Sequence, residues 1–191
     1  MKRVILVHRW YGSPEADWYP WLKQELESKE ITVLVPAMPT PDAPEIKTWN
    51  SALAKAVGKP DMDTYLIGHS VGCQTILRYL EQAAATARVG GCVFVAGWFS
   101  LTSEAMPTEN EQTIAQPWLA NVPDLSRAKK HCTSFVTFLS DNDPYISVEQ
   151  NKNAFEKLGT VIMEHNKGHY DEDSNCKQVP QVLQKIQELL K

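Results

Sequence analysis

The sequence predicts a doubly wound α/β fold, in which helices cover both faces of a parallel sheet. Short, mostly apolar runs alternate along the chain with longer stretches of helical hydrophobic period, which is typical of strands buried on both faces. Right-handed crossovers between such strands place helices on both sides of the sheet. In addition, a glycine-flanked turn at 68–72 joins one apolar run directly to a helical pattern.

Length and composition are those of an ordinary globular domain. The 191 residues suit a single domain spanning 1–191, with 43% hydrophobic and 22% charged residues. The net charge of −4, without a basic run, argues against nucleic acid or an anionic membrane as a partner. No stretch approaches the roughly 18 apolar residues of a membrane span, so none is expected.

The cysteine pattern predicts where the protein works. The four cysteines show neither C-x-x-C spacing nor the density of a disulfide scaffold. We therefore expect them to be packing thiols in a protein of the reducing cytoplasm. The cysteines are Cys73, Cys92, Cys132 and Cys176. The N-terminal apolar run is too short for a secretory signal and predicts a strand instead.

The first half of the chain predicts three strands and three helices. The strands are expected at 3–8, 31–35 and 64–69, and the helices at 14–28, 45–57 and 72–87. The strands are mostly apolar runs, whereas the first two helices repeat large apolar side chains at spacings of three and four. Four prolines between 36 and 44 predict an ordered loop, because proline neither continues a ladder nor enters a helix interior.

The second half continues the alternation less regularly. Strands are expected at 92–96, 134–139 and 160–164, and helices at 148–158 and 175–190. Pro180 leaves the start of the last helix open. Residues 97–127 contain three prolines and no clean period, so they predict a loop with a short helix and form the only candidate for a lid.

The segment Gly68-His69-Ser70-Val71-Gly72 matches the G-x-S-x-G pattern of a nucleophile elbow. On a sharp strand-to-helix turn, the Ser70 hydroxyl stands above the sheet edge, and the flanking glycines let strand and helix pass closely. The amide of Val71, at a helix N-terminus, is predicted to form one half of an oxyanion hole. The alternative is a tight turn with only a structural role.

A serine nucleophile needs a histidine base and a carboxylate that orients it, and in elbow enzymes the chain order is serine, acid, histidine. The fifth and sixth predicted strands end just before Asp143 and His169, at the sheet edge where such folds bind ligands. We therefore predict Ser70, Asp143 and His169 as catalytic residues. Asp141 is the rival acid, His165 is the rival base, and Asp143 has the further option of capping the next helix.

Two further readings of these loops concern metals and His69. The pair Asp141 and Asp143 does not continue as a calcium loop, because Tyr145 and Ile146 stand where a ligand and a glycine are needed. Neither a metal nor another cofactor is predicted. His69, adjacent to the nucleophile, is expected to point away from the site and pack.

The elbow, Asp143-Pro144-Tyr145-Ile146 and Gly168-His169 are similar to three signatures of the α/β-hydrolase superfamily. With His8-x-Trp10-x-Gly12-Ser13-Pro14, residues 18–22 and the proline-rich loop, the chain resembles the small serine-hydrolase family that includes the retinoblastoma-binding serine hydrolase and YdeN-like bacterial members. The likeness extends over essentially the whole chain. It implies six strands in the order 2-1-3-4-5-6, numbered along this chain, and a minimal cap.

The same resemblance implies that Trp10 supplies the second oxyanion amide. Relatives commonly carry glycine where this chain has Arg9, and a positive φ there would strain arginine by ~1 kcal/mol or more. Arg9 is expected either in solvent or at the pocket mouth, attracting an acidic group of the substrate. Trp10, Trp98 and Trp118 are candidates for the acyl pocket or for the core.

The leading functional hypothesis is a cofactor-free serine hydrolase that cleaves small esters, thioesters or amides through an acyl-enzyme. Its partner is then a small acyl substrate. The alternative is a protein-interaction module on a hydrolase fold with weak or vestigial activity, since the family resemblance implies a possible protein partner. The three candidate catalytic residues favour the enzyme, whereas Arg9 slightly favours the alternative.

Overall fold

The computed structural model describes all residues from Met1 to Lys191 and is built around one six-stranded sheet. The strands are β1 Arg3–Val7, β2 Thr32–Leu34, β3 Thr64–His69, β4 Gly91–Val95, β5 Phe135–Ser140 and β6 Thr160–Glu164. Every neighbouring pair is parallel. The strand order β2-β1-β3-β4-β5-β6 confirms the predicted doubly wound α/β fold.

Helices cover both faces of this sheet. They are α1 Tyr19–Glu27, α2 Ile46–Val57, α3 Val71–Gln82, α4 Glu109–Ala120, α5 Leu125–Ala128, α6 Val148–Phe155 and α7 Pro180–Leu189, with a 3-10 turn at Ser103–Ala105. Successive strand side chains point to opposite faces. Ile5 therefore packs in one core with residues of α2 and α3, and Leu6 in a second core with residues of α1 and α7. None of the helices has the length and apolar character needed to cross a membrane.

Helix α1 begins at Tyr19 rather than at residue 14. Asp17 has a φ of 54°, a left-handed conformation that no right-handed helix includes. Its side chain accepts a hydrogen bond from Arg9 in the preceding loop. The helix can therefore begin only after Asp17.

Two other helix ends differ from the prediction for local reasons. Helix α3 ends at Gln82 rather than at 87, because Ala83 adopts an extended conformation with ψ of 150°. Helix α7 begins at Pro180 rather than at 175. Proline suits the first helical turn, where its missing N–H would have no partner within the helix.

The region 97–127 contains more helix than the predicted loop with a short helix. Helix α4 begins with a capping box: Thr108 Oγ1 accepts from the Glu111 amide, and the Glu111 carboxylate accepts from the Thr108 amide. Such reciprocal bonds satisfy two amides that otherwise lack partners. Pro117 lies close to the C-terminal end of α4, so the helix forms in spite of it.

Candidate active site

Ser70 lies on the turn between β3 and α3, with φ 55° and ψ −120°. This left-handed φ is uncommon for any residue except glycine and marks a strained backbone. A Cβ atom on Gly68 would lie 2.7 Å from the Cys73 backbone, and one on Gly72 would collide with the Val7 carbonyl oxygen. Both glycines are thus required for the close passage of strand and helix, as the elbow motif predicts.

Asp143 and His169 form a buried pair at the ends of β5 and β6. The Nδ1 atom of His169 lies 2.8 Å from Asp143 Oδ2, and the aspartate side chain is fully buried. Asp143 Oδ1 accepts from the Tyr145 amide at 3.0 Å, which fixes the carboxylate in its loop. Because a carboxylate accepts, Nδ1 carries the proton and leaves the Nε2 lone pair of His169 available as a base.

The rival residues Asp141 and His165 bond to each other at the surface. His165 Nδ1 lies 2.5 Å from Asp141 Oδ2, and the His165 side chain is 84% exposed. Asp141 also accepts from the Asn166 amide, and this bond, followed by that of His165, lowers its pKa. Neither residue lines the cavity that holds Ser70. Asp143 does not cap α6, since its hydrogen bonds go to Tyr145 and His169.

Ser70 shares its cavity with His169 and Trp98, and the tryptophan makes the direct contact. The indole Nε1 of Trp98 donates to Ser70 Oγ at 3.2 Å, whereas no hydrogen bond joins Ser70 to His169. Such serine–histidine bonds often tighten only when substrate is bound. The sequence alone did not decide whether Trp98 belongs to the acyl pocket or to the core. Its position shortly after the end of β4, where the ligand edge of the sheet lies, was the feature that pointed to the site.

Of the other two candidate tryptophans, one belongs to the cavity and the other to the core. Trp10 lines the cavity, whereas Trp118 is buried in the core and donates its indole N–H to the Pro44 carbonyl. The backbone amide of Trp10 makes no hydrogen bond to the protein. It is therefore free to serve as an oxyanion donor.

Arg9 corrects two expectations from the sequence. The positive φ values of this loop fall at Tyr11, at 58°, and at Asp17, at 54°, and not at Arg9, so the arginine is not strained. Arg9 is also not free in solvent: it lines the cavity, as one of the two expectations had it, but its charge is already paired within the protein. Its guanidinium donates to both carboxylate oxygens of the buried Asp17, at 2.8 and 3.3 Å.

Asp17 connects the two loops that flank the cavity. Its Oδ1 atom accepts from the Glu172 amide, in the loop that follows His169, at 3.0 Å. Burial alone would raise the pKa of Asp17, but the Arg9 hydrogen bond, with further contributions from nearby charges, outweighs it and lowers that pKa. One carboxylate thus holds the loop after β1 against the loop after β6.

His69 supports the backbone of His169, rather than merely packing. Burial, and then the proximity of His169, lower the pKa of His69 to about 3, so the ring is neutral. Its Nε2 lies 2.8 Å from the His169 carbonyl oxygen, which only accepts, so Nε2 is the donor. Nδ1 consequently accepts from the Tyr19 hydroxyl at 2.6 Å. This buried chain holds the backbone of His169 in place.

We expect Arg9→Gln to lower the free energy of unfolding by about 3 kcal/mol, because it leaves the fully buried Asp17 carboxylate unpaired. Denaturant unfolding measures this loss, and Asp17→Asn in the same chain should recover part of it. Lys152→Gln, in an exposed ion pair with Glu156, is the matched control and should have little effect.

The pH dependence of this effect follows from the lowered pKa of Asp17. A lowered pKa stabilises the folded state above the ordinary aspartate value of about 4, and that contribution is lost as the pH falls towards the folded value. The difference between wild type and Arg9→Gln should therefore be full at pH 7 and shrink below about pH 4. A difference that stays constant over this range would contradict the ion pair.

The cavity above Ser70 has a volume of about 490 Å³ and is half open to solvent. Ser70, Trp98 and His169 lie in its lining, together with Trp10 from the loop after β1 and Leu101 from the region before α4. No group of three or more histidine, cysteine, aspartate or glutamate side chains is arranged to hold a metal ion.

The sheet order and the strained serine turn define an α/β-hydrolase. The chain belongs to the serine hydrolase family, whose model, described as "Serine hydrolase", matches residues 4–188. This confirms the family resemblance drawn from the sequence.

Two relatives and one solved structure illustrate the likeness. YdeN of Bacillus subtilis (strain 168), described as a hydrolase, is 26% identical over 181 residues, which are 94% of this chain and 91% of YdeN. The serine hydrolase RBBP9 of Rattus norvegicus is 24% identical over 158 residues, 80% of this chain and 77% of that protein. The crystal structure of the B. subtilis ydeN product has a TM-score of 0.89 at 24% identity and covers 99% of this chain and 98% of its own.

Proposed function

We propose that this protein is an esterase-like serine hydrolase that cleaves small esters, thioesters or amides through an acyl-enzyme. The buried Asp143–His169 hydrogen bond beside Ser70 carries the proposal. A histidine with Nδ1 protonated and Nε2 free is in the tautomer that a general base requires. An oriented pair of this kind favours an enzyme over an interaction module with a vestigial triad.

The proposed reaction has two steps. Ser70 Oγ attacks the substrate carbonyl while His169 Nε2 takes its proton, and the same proton then passes to the leaving group as the bond to it breaks. A water molecule, deprotonated by His169, next attacks the acyl-enzyme, and the returning proton restores Ser70. Asp143 stays ionised and stabilises the imidazolium in both steps.

Two backbone amides are proposed as the oxyanion hole. Val71 is the first residue of α3, where amides lack partners within the helix and the helix dipole favours negative charge. The unpaired amide of Trp10 is proposed as the second donor. Fixed donors of this type stabilise the negative charge that develops on the carbonyl oxygen.

A fluorophosphonate probe tests the proposal, because only an activated serine reacts with it. We expect stoichiometric labelling, with the adduct located on Ser70 by mass spectrometry. Heat-unfolded protein is the control and should not react. Failure to label, or labelling at another serine, would overturn the proposal.

We expect kcat/KM on nitrophenyl esters to stop rising at about four to six acyl carbons. The half-open cavity encloses little acyl chain, and each buried methylene contributes only ~0.8 kcal/mol. The measurement is kcat/KM from acetate to palmitate. A rise that continues beyond about ten carbons would indicate a deep acyl tunnel.

The proposed place of action is the cytoplasm, which the four buried, unpaired cysteines support.

A further inference from the structure

The rim of the active-site cavity is strongly acidic. Its lining contains four carboxylate residues, whereas Arg9 is the only lysine or arginine in it, and the charge of Arg9 is offset by its bonds to Asp17. The four carboxylate residues are Glu104, Glu111, Asp171 and Asp173. None of them takes part in a salt bridge. An excess of negative charge therefore faces the space that the substrate enters.

Asp171 is the most buried carboxylate residue of this rim. It is 2% exposed and lies two positions after His169. All its side-chain hydrogen bonds go to one oxygen, Oδ1, which accepts from the amide and the hydroxyl of Ser174. Its Oδ2 atom has no partner in the protein. Oδ2 is not sealed from solvent, since it is absent from the buried atoms that lack a partner, and because Asp171 lines the cavity this oxygen is available to a ligand there.

Aromatic faces accompany these carboxylates. Trp10 and Tyr11 stack with ring centres 5.6 Å apart and 10° between their planes, and Tyr145 packs edge-on against His169. All three aromatic residues line the cavity. Burial, followed by the negative charges of Asp171 and Asp173, raises the pKa of Tyr145. The tyrosine hydroxyl is therefore close enough to the acidic rim to be affected by its charge. Aromatic faces beside carboxylates are the surroundings that an ammonium group prefers.

We propose that the substrate carries a positively charged nitrogen close to the scissile carbonyl, and that Asp171, Asp173 and Glu111 bind it against the aromatic wall. This inference rests on the proposed hydrolase function and names the substrate class of that same site. The rim attracts a cationic substrate and repels an anionic one, because charges of one sign around a partly enclosed cavity focus their field into it.

Three thioesters that differ mainly in charge test the proposal by turnover. Acetylthiocholine carries a quaternary ammonium, 3,3-dimethylbutyl thioacetate is its neutral isostere, and S-acetyl-3-mercaptopropionate carries a carboxylate. Relative to each compound's hydroxide hydrolysis, we expect kcat/KM to fall in the order cation, neutral, anion, with about tenfold between the first two. High salt should narrow the gap. A neutral thioester that is cleaved as well as the cationic one would overturn the inference.

Carboxylate variants locate the effect. Glu111→Gln keeps an acceptor for the capping box, and Asp173 makes no hydrogen bond through its side chain, so the double variant Glu111→Gln/Asp173→Asn should fold. It should reduce the cation-to-neutral ratio of kcat/KM at least threefold, and Asp171→Asn should reduce it further. The control is Glu149→Gln, an exposed carboxylate on α6 that does not line the cavity, which should leave the ratio as it is. An unchanged ratio in the double variant contradicts the proposal.

A binding measurement separates this inference from the hydrolase assignment. In Ser70→Ala the rim is intact, so calorimetry with the intact thioesters reports affinity without turnover. Tighter binding of acetylthiocholine than of its neutral isostere supports the acidic subsite even if Ser70 is not the nucleophile. Equal binding of the two refutes the subsite even if the fluorophosphonate probe labels Ser70.

Discussion

Replacement of Ser70 by alanine is expected to lower kcat by about 10⁴-fold or more. The change removes the proposed nucleophile, the hydroxyl that shares the cavity with His169, and leaves only substrate binding and the two proposed oxyanion amides to stabilise the transition state. The measurement is kcat on a short nitrophenyl ester, with active protein quantified independently of activity.

The same variant should retain its fold. Alanine leaves the Trp98 indole N–H without its protein acceptor, but water in the half-open cavity replaces Oγ, so we expect a stability change within about 1 kcal/mol. Ser51→Ala, at an exposed position on α2, is the matched control and should alter neither activity nor thermal unfolding. Near-native turnover by a folded Ser70→Ala protein would show that Ser70 is not the nucleophile.

The second large effect is expected for Asp143→Asn, with a loss of about 10⁴-fold mainly in kcat. The asparagine amide donates to Nδ1 of His169, so the ring places its proton on Nε2 and can no longer accept one from serine. The substitution is nearly isosteric, and the Tyr145 amide keeps its acceptor. The expected loss of activity is therefore caused by the wrong tautomer of His169 and not by a change of structure.

Asp141→Asn provides the comparison for this prediction. Asp141 bonds to the exposed His165 and to the Asn166 amide, away from the cavity, so its loss should change kcat less than about tenfold. Both variants are assayed on the same ester with kcat and KM determined separately, since a wrong tautomer is expected to lower kcat. A larger loss at Asp141 than at Asp143 would reverse the assignment of the acid.

The strand order, and the placement of the three candidate catalytic residues at one edge of the sheet, could be predicted because their determinants are short or follow from topology. The elbow is a five-residue pattern, and parallel strands bring their carboxyl ends to one edge, where Asp143 and His169 follow β5 and β6. The capping box of Thr108 and Glu111 is also a local motif, but the prediction for this region rested on its prolines and its lack of a clean period and did not use it.

The remaining site depends on partners that are far apart in sequence. Nothing near Asp17 indicates that its carboxylate bonds to Arg9 and to the amide of Glu172, a residue 155 positions away. His69 likewise bonds to the carbonyl of His169, 100 positions along the chain. Such pairings arise only when loops from different strands meet, so a pattern that reads neighbouring residues does not contain them.

The bond between Arg9 and Asp17 constrains the order in which these two positions can change in a lineage. If Arg9 is replaced by glycine first, the fully buried Asp17 carboxylate loses its counter-charge, and the intermediate protein is less stable to unfolding. If aspartate 17 changes first, the orphaned guanidinium is partly exposed and still reaches solvent. Descent between arginine-bearing and glycine-bearing loops is therefore easier along one mutational path than along the other.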